Sequence, residues 1–133
     1  MINGISLLND STGLVPSGGV ATPYDSDGAD IPNGIHVVDN TTETNFLLRN
    51  HITFKNRAHS QQPNGGFSKG IRSFVLTMPI LLADGTISYQ VSRVSTEIHP
   101  EMVAAQILEH RLLTAQCIID AELDDFYAYG VIK

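Results

Sequence analysis

Apolar and polar residues alternate most regularly between Leu48 and Arg57. Leu48, Ile52 and Phe54 fall on one side, with Asn50 the single misfit, while Arg49, His51, Thr53, Lys55 and Arg57 fall on the other. Successive side chains of a strand point to opposite faces, so the pattern predicts a strand with an apolar side and a basic side. The same period returns over Lys69 to Leu82. There Phe74, Leu76, Met78 and Ile80 share a face, opposite Lys69, Ser73, Val75 and Thr77. Ala83-Asp84-Gly85 predicts a tight turn, after which Thr86 to Thr96 runs back with Ile87, Tyr89 and Val91 opposite Ser88, Gln90 and Ser92. Pro79 lacks an N–H and favours an edge or a bulge near the end of that hairpin.

The first forty residues read as hairpin material. Ile5 to Leu8 is a short strand, Asn9 to Gly13 a turn, and Val20 to Pro23 a return strand after Gly18-Gly19. Asp25-Ser26-Asp27-Gly28-Ala29-Asp30 has the wrong spacing for a calcium loop, since glycine comes too early and His36 stands where a bidentate Glu is needed. It predicts an Asx-type turn instead. Ile35 to Asp39 is a further short strand, followed by a linker over Thr41 to Thr44. Between Arg57 and Lys69, His59 to Gly66 forms a polar loop with Asn-Gly turn chemistry.

Beyond Thr96 the period changes to that of helices. His99-Pro100-Glu101 opens one, with proline and an acid suited to its first turn, and helix formers continue through Leu113. Its apolar residues point several ways: Val103 and Ile107 one way, Leu108 and Leu112 another, Met102 and Leu113 a third. A helix apolar on several sides packs against more than its own sheet, and a second subunit is the economical partner. A second helical segment, about Ala115 to Tyr127, carries Ile118, Ile119, Leu123 and Phe126, and Gly130 stops it. The fold class is therefore α+β, one domain over 1–133. It divides into an N-terminal β-hairpin (1–24), an antiparallel β-sheet of about five strands (35–96) and two C-terminal α-helices (100–129).

Charge sharpens this picture. The chain has 133 residues and a formal net charge of −6. Residues 1–40 contribute −5, 41–80 contribute +4, 81–96 balance, and 97–133 contribute −5. Phosphate neutralisation dominates nucleic-acid binding, and a net acidic chain argues against it. Segregation changes the argument, because screening confines charge effects to about 8–10 Å at moderate salt. A basic sheet between acidic ends can hold a polyanion on one side.

Other chemistry is sparse. His36, His51, His59, His99 and His110 show no metal-ligand spacing, and Cys117 lies in an apolar run without a neighbouring base. An enzyme is not expected, nor any cofactor or metal. One cysteine excludes an intramolecular disulfide. No apolar run approaches the ~20 residues of a membrane helix, and the N-terminus lacks a secretory pattern. The expectation is a soluble protein of a reducing compartment.

The order of elements resembles the coat proteins of single-stranded RNA bacteriophages, the levivirus group. Residues 46–129 carry the resemblance, with Ser95-Thr96-Glu97 at the strand-to-helix junction, Ile118-Ile119-Asp120-Ala121 in the last helix, and Tyr127-Ala128-Tyr129 at the tail. It implies an interlocked homodimer with a continuous sheet, the helices of each subunit clasping the other. Such dimers close into an icosahedral shell, packaging a single-stranded RNA genome and binding an RNA hairpin as translational repressor. Carried over by strand and facing, the RNA surface would be Arg49, His51, Thr53, Lys55, Arg57, Ser73, Thr77, Ser88 and Gln90. The dimer interface would include Val103, Ile107, Leu108, Leu112, Ile118, Ile119, Leu123 and Phe126. The protein would reside in the virion, assembled in the bacterial host cytoplasm, with no membrane partner. The turn at Ala83-Asp84-Gly85 departs from the family, whose corresponding loop is long, so the 58–68 loop could take over its role in switching between shell positions. A small dimeric cellular nucleic-acid-binding protein that forms no shell is the alternative.

Overall fold

A computed structural model describes residues 23–39 and 45–130. The hairpin expected over 1–24 lies outside them up to its last two residues, as does the linker at Thr41 to Thr44. Five strands, β1 (Tyr24–Ser26), β2 (Gly34–Asp39), β3 (His51–Arg57), β4 (Gly70–Leu81) and β5 (Ile87–Ile98), pair antiparallel in sequence order. The expected sheet is present and extends to β1, a short strand that sequence reading placed in a turn. The Asx-type turn follows immediately: Asp27 Oδ1 accepts the Ala29 N–H at 3.0 Å.

The basic strand starts later than its alternation suggests. Asn45 accepts the Leu47 N–H through Oδ1 at 3.1 Å and caps a single 3-10 turn over Phe46–Leu48. Arg49 closes that turn by donating its N–H to the Phe46 carbonyl. Side-chain capping by Asn thus competes successfully with the strand ladder. Leu48 and Arg49 precede β3 instead of belonging to it.

Pairing is one-to-one throughout the long hairpin, from Gly70 opposite Ile98 to Leu81 opposite Ile87. Asp84 tightens its turn, with Oδ1 accepting from Thr86 N–H at 2.9 Å and Thr86 Oγ1 at 2.6 Å. Gly85 supplies the positive φ of 84° that the reversal requires. Pro79 pairs with Tyr89 of β5 without a bulge and lies beyond Thr77, the last β4 residue that β3 reaches, so it sits where β4 is locally an edge, as expected.

The helical residues belong to a second compact unit. The first helix, α1 (Ala104–Ile119), starts after Pro100 and continues past Leu113. Gln106 Oε1 accepts the Val103 N–H at 3.1 Å, fixing the start. Thr114 directs its hydroxyl to the His110 carbonyl at 2.8 Å, so the expected break there does not occur. The chain turns instead at Asp120, whose extended backbone ends α1 and whose Oδ1 accepts the Glu122 N–H at 2.9 Å. A 3-10 turn (Ala121–Leu123) and a short α2 (Asp124–Tyr129) follow, and Gly130 ends α2 in the left-handed region. Tyr127 donates its hydroxyl to the Cys117 carbonyl at 3.1 Å, tying α2 to α1.

Only Val38, Ile98 and Leu123 are buried apolar side chains among the described residues. The large hydrophobics left exposed lie on both units and include Phe54, Met78, Ile80, Leu108, Ile118 and Ile119. Monomeric soluble proteins expose single apolar residues freely but rarely a contiguous surface of them.

Candidate nucleic-acid interface

Directly paired residues of antiparallel strands share a face, so the register assigns every side chain to one side of the sheet. Lys55 pairs with Ser73, Thr53 with Val75 and His51 with Thr77. On β5, Thr77 pairs with Val91, Val75 with Arg93 and Pro79 with Tyr89. One face therefore carries His36, His51, Thr53, Lys55, Arg57, Ser73, Thr77, Tyr89 and Arg93. The other carries Ile35, Val37, Ile52, Phe54, Phe74, Leu76, Met78 and Ile80, an apolar surface over β2 to β4 that is bordered by Asn56 and Arg72 at one end and by Ser88, Gln90 and Ser92 on β5.

This register corrects one part of the sequence reading. Ser88 pairs with Ile80 and Gln90 with Met78, so both lie on the apolar face, away from Lys55. The cause is the β4–β5 turn. Its length sets which set of β5 residues meets which face, and a one-residue slip exchanges them. With Leu81 paired to Ile87, the β5 residues beside Thr77 are Tyr89, Val91 and Arg93. Sequence reasoning missed Tyr89 and Arg93 because polarity was used to assign the face. Counting the residues of the turn would have found them.

His51, Thr53, Lys55, Arg57, Ser73 and Thr77 do come together as expected. Lys55 and Arg57 are exposed, two positions apart and thus ~6.8 Å along the strand. Tyr89 is 52% exposed, an accessible ring on the same side. The cationic surface is not free of acid, since Glu97 shares the face and reaches Lys69 at 3.6 Å. Both partners are largely exposed, so that pair adds little stability.

Near β1 the polar face becomes more enclosed. The His36 and His51 rings stack with centroids 5.3 Å apart and planes inclined by 15°. Phe46 meets His51 edge-on, also at 5.3 Å. His36 Nδ1 lies 2.6 Å from Asp27 Oδ2. Burial pushes the His51 imidazole below its ordinary range, and a charge on His36 pushes it further. The Ala29 N–H, assisted by His36, holds the Asp27 carboxyl below its usual value. No cluster of three or more metal-binding side chains occurs among the described residues.

In the helical unit, Val103, Leu108, Ile118, Ile119 and Phe126 are exposed, Ile107 and Leu112 half-buried. Leu123 is only 7% exposed, so it packs within its own chain.

Three solved structures show what this architecture is similar to. A virus-like particle of bacteriophage GQ-907 matches over 100% of both chains, with TM-score 0.89 and 30% identity. A virus-like particle of bacteriophage AVE019 gives TM-score 0.70 at 13% identity, over 88% of this chain and 92% of that one. That of Beihai levi-like virus 21 gives 0.54 at 13%, over 87% and 98%. No family model and no curated protein matches the sequence. Together with the sheet and its two helices, the full-length match defines a phage capsid protein, structural and not enzymatic. The chain belongs to the levivirus-type coat proteins.

Proposed function

We propose that this capsid protein forms interlocked homodimers that close into an icosahedral shell, with the polar face of the sheet bound to packaged single-stranded RNA. The observation that carries the reading is the division of the sheet by register. Lys55, Arg57 and Arg93 occupy one face, shared with Leu81 and Val91, while exposed Ile35, Phe54, Met78 and Ile80 occupy the other, where Arg72 is the one cation of the β3–β5 ladders. An apolar sheet face that one chain leaves uncovered is stabilised when helices of a second copy cover it. The basic face then remains open to phosphate, with His51, Thr53, Ser73 and Thr77 as hydrogen-bonding groups and Tyr89 as a stacking surface. Arg49, in the bend just before β3, stays a candidate contact.

Ser88 and Gln90 no longer belong to the proposed surface. Binding of an RNA hairpin as translational repressor uses the same face, because unpaired loop bases need stacking and hydrogen-bonding groups side by side. Assembly takes place in the bacterial host cytoplasm, where that RNA is made. Negative-stain microscopy and nucleic-acid absorbance of the expressed protein test the reading together. RNA-filled particles support it. Empty particles refute the RNA part, and a stable monomer refutes both parts.

A further inference from the structure

The enclosed end of the polar face carries a pair of imidazoles with an arrangement unlike that of the other titratable groups. His36 sits on β2 opposite Thr53, and His51 on β3 opposite Val38, so the two are diagonal neighbours on one face. Their rings stack at 5.3 Å, Asp27 closes on His36 at 2.6 Å, and Phe46 covers the edge of His51. We propose that His36 and His51 form a proton-dependent contact for a nucleic-acid phosphate, so that RNA bound to this face takes up a proton. The inference rests on the reading that this face binds RNA.

The charge states explain why. With both rings neutral, Asp27 leaves the cluster at −1. One proton brings it to zero and a second to +1. Stacked imidazoles resist the second proton, since like charges a few ångströms apart disfavour each other. A phosphate over the pair reverses that balance by supplying the opposite charge. Burial and the neighbouring His36 already hold His51 mostly unprotonated at neutral pH, so a proton arrives with the anion.

The surroundings are compatible with this. From the β1 side the facing charges are Asp25 and Asp27, the former opposite Val38. β3 contributes Lys55, two pairs along from His51, and the bend before it Arg49. The β4 positions opposite His51, Thr53 and Lys55 are Thr77, Val75 and Ser73, none of which titrates in this range. Lys55 and Arg57 provide charge that is always present. The histidine pair adds the part that depends on pH.

The test is calorimetric binding of a short polyuridine RNA, whose bases do not titrate between pH 5.5 and 7.5, to the full-length protein freed of RNA. Titrations at pH 6.5 in two buffers of different ionisation enthalpy should show uptake of up to one proton per site. At constant ionic strength, affinity should rise up to about tenfold from pH 7.5 to 5.5, one unit of pKa being tenfold. His36→Asn with His51→Asn should lose both effects while still binding at pH 7.5. Lys55→Ala with Arg57→Ala should bind more weakly at every pH and keep the proton uptake. If wild-type protein binds RNA with identical heats in both buffers, the proposal is wrong whatever the variants do. It is equally wrong if the histidine variant keeps the uptake. If the Lys55/Arg57 variant binds as tightly as wild type, the reading of the whole face falls, and this proposal with it.

Discussion

Phe54 and Phe74 stand directly opposite each other across the β3–β4 ladder, ring centroids 6.1 Å apart and planes tilted by 46°. Such a pair is worth about 0.5–1.5 kcal/mol beyond its buried area. Phe54 nevertheless remains 43% exposed, beside Ile35 on β2. Its environment in the single chain is unfinished. Phe54→Glu should therefore disturb the isolated sheet little and assembly severely, because covering an unpaired carboxylate costs several kcal/mol. Size-exclusion chromatography should show loss of particles with retained β-sheet circular dichroism. Normal particles would mean that nothing covers this face.

Leu123 and Phe126 provide a contrast within the helical unit. Leu123 is 7% exposed and Phe126 37%. Leu123→Asp places a carboxylate in an apolar site and removes packing worth about 2–5 kcal/mol, so soluble chain should vanish. Phe126→Asp should leave foldable protein that fails to assemble. Comparing the soluble fraction with the particle fraction separates the two outcomes.

Gly34 begins β2 where there is no space for a side chain. A Cβ there would meet the Phe54 carbonyl oxygen, with Ile31 Cγ2 at 3.1 Å and Lys55 Cγ at 3.2 Å. A backbone atom cannot swing aside. Gly34→Ala should cost about 1–3 kcal/mol, as overpacking generally does, and lower the melting temperature. An unchanged melting temperature would contradict the β2–β3 spacing.

The β4–β5 turn supplies a pH-dependent test. Hydrogen bonds from Thr86 hold the Asp84 carboxyl below its usual value. A carboxylate with a depressed folded-state pKa stabilises above its unfolded value of 3.8 and loses that contribution as pH falls through the folded value. Asp84→Ala should lower thermal stability at pH 7, and the difference from wild type should shrink steadily below pH ~4. A difference that stays constant down to pH 2 would show that the turn does not depend on the ionised form.

Much of this was legible in the chain itself. The alternation at Phe74, Leu76, Met78 and Ile80 located β4, and Asp84-Gly85 located its turn, because period and turn chemistry are local. Two local signals misled. Asn45 capped a 3-10 turn and removed Leu48 and Arg49 from the strand, although their alternation continued the pattern. The β-branched Thr114, a weaker helix former than its neighbours, hid the continuity of α1, and the real break came from capping by Asp120. The facing of Ser88 and Gln90 was not a local property at all. It depends on how Leu81 meets Ile87, a pairing across the turn. The family itself was recognisable from element order, whereas the enclosed His36–His51 stack required coordinates.

That difference in facing provides the sharpest test of the RNA surface. Lys55 and Arg57 share the polar face, and Ser88 and Gln90 the opposite one, although all four are exposed. Each neutralised phosphate adds about 0.7–0.9 to the salt slope of binding, so Lys55→Ala with Arg57→Ala should flatten the slope by about 1.5. Assembly should survive, since the apolar face is untouched, while the 260/280 nm absorbance ratio of purified particles falls. Ser88→Ala with Gln90→Ala should leave both slope and ratio at wild-type values. Tyr89→Ala should weaken binding by about 1–3 kcal/mol without altering the slope, because stacking involves no counterion release. Full RNA content in the Lys55/Arg57 variant, together with a loss in the Ser88/Gln90 variant, would place the RNA on the apolar side and reverse the assignment of faces.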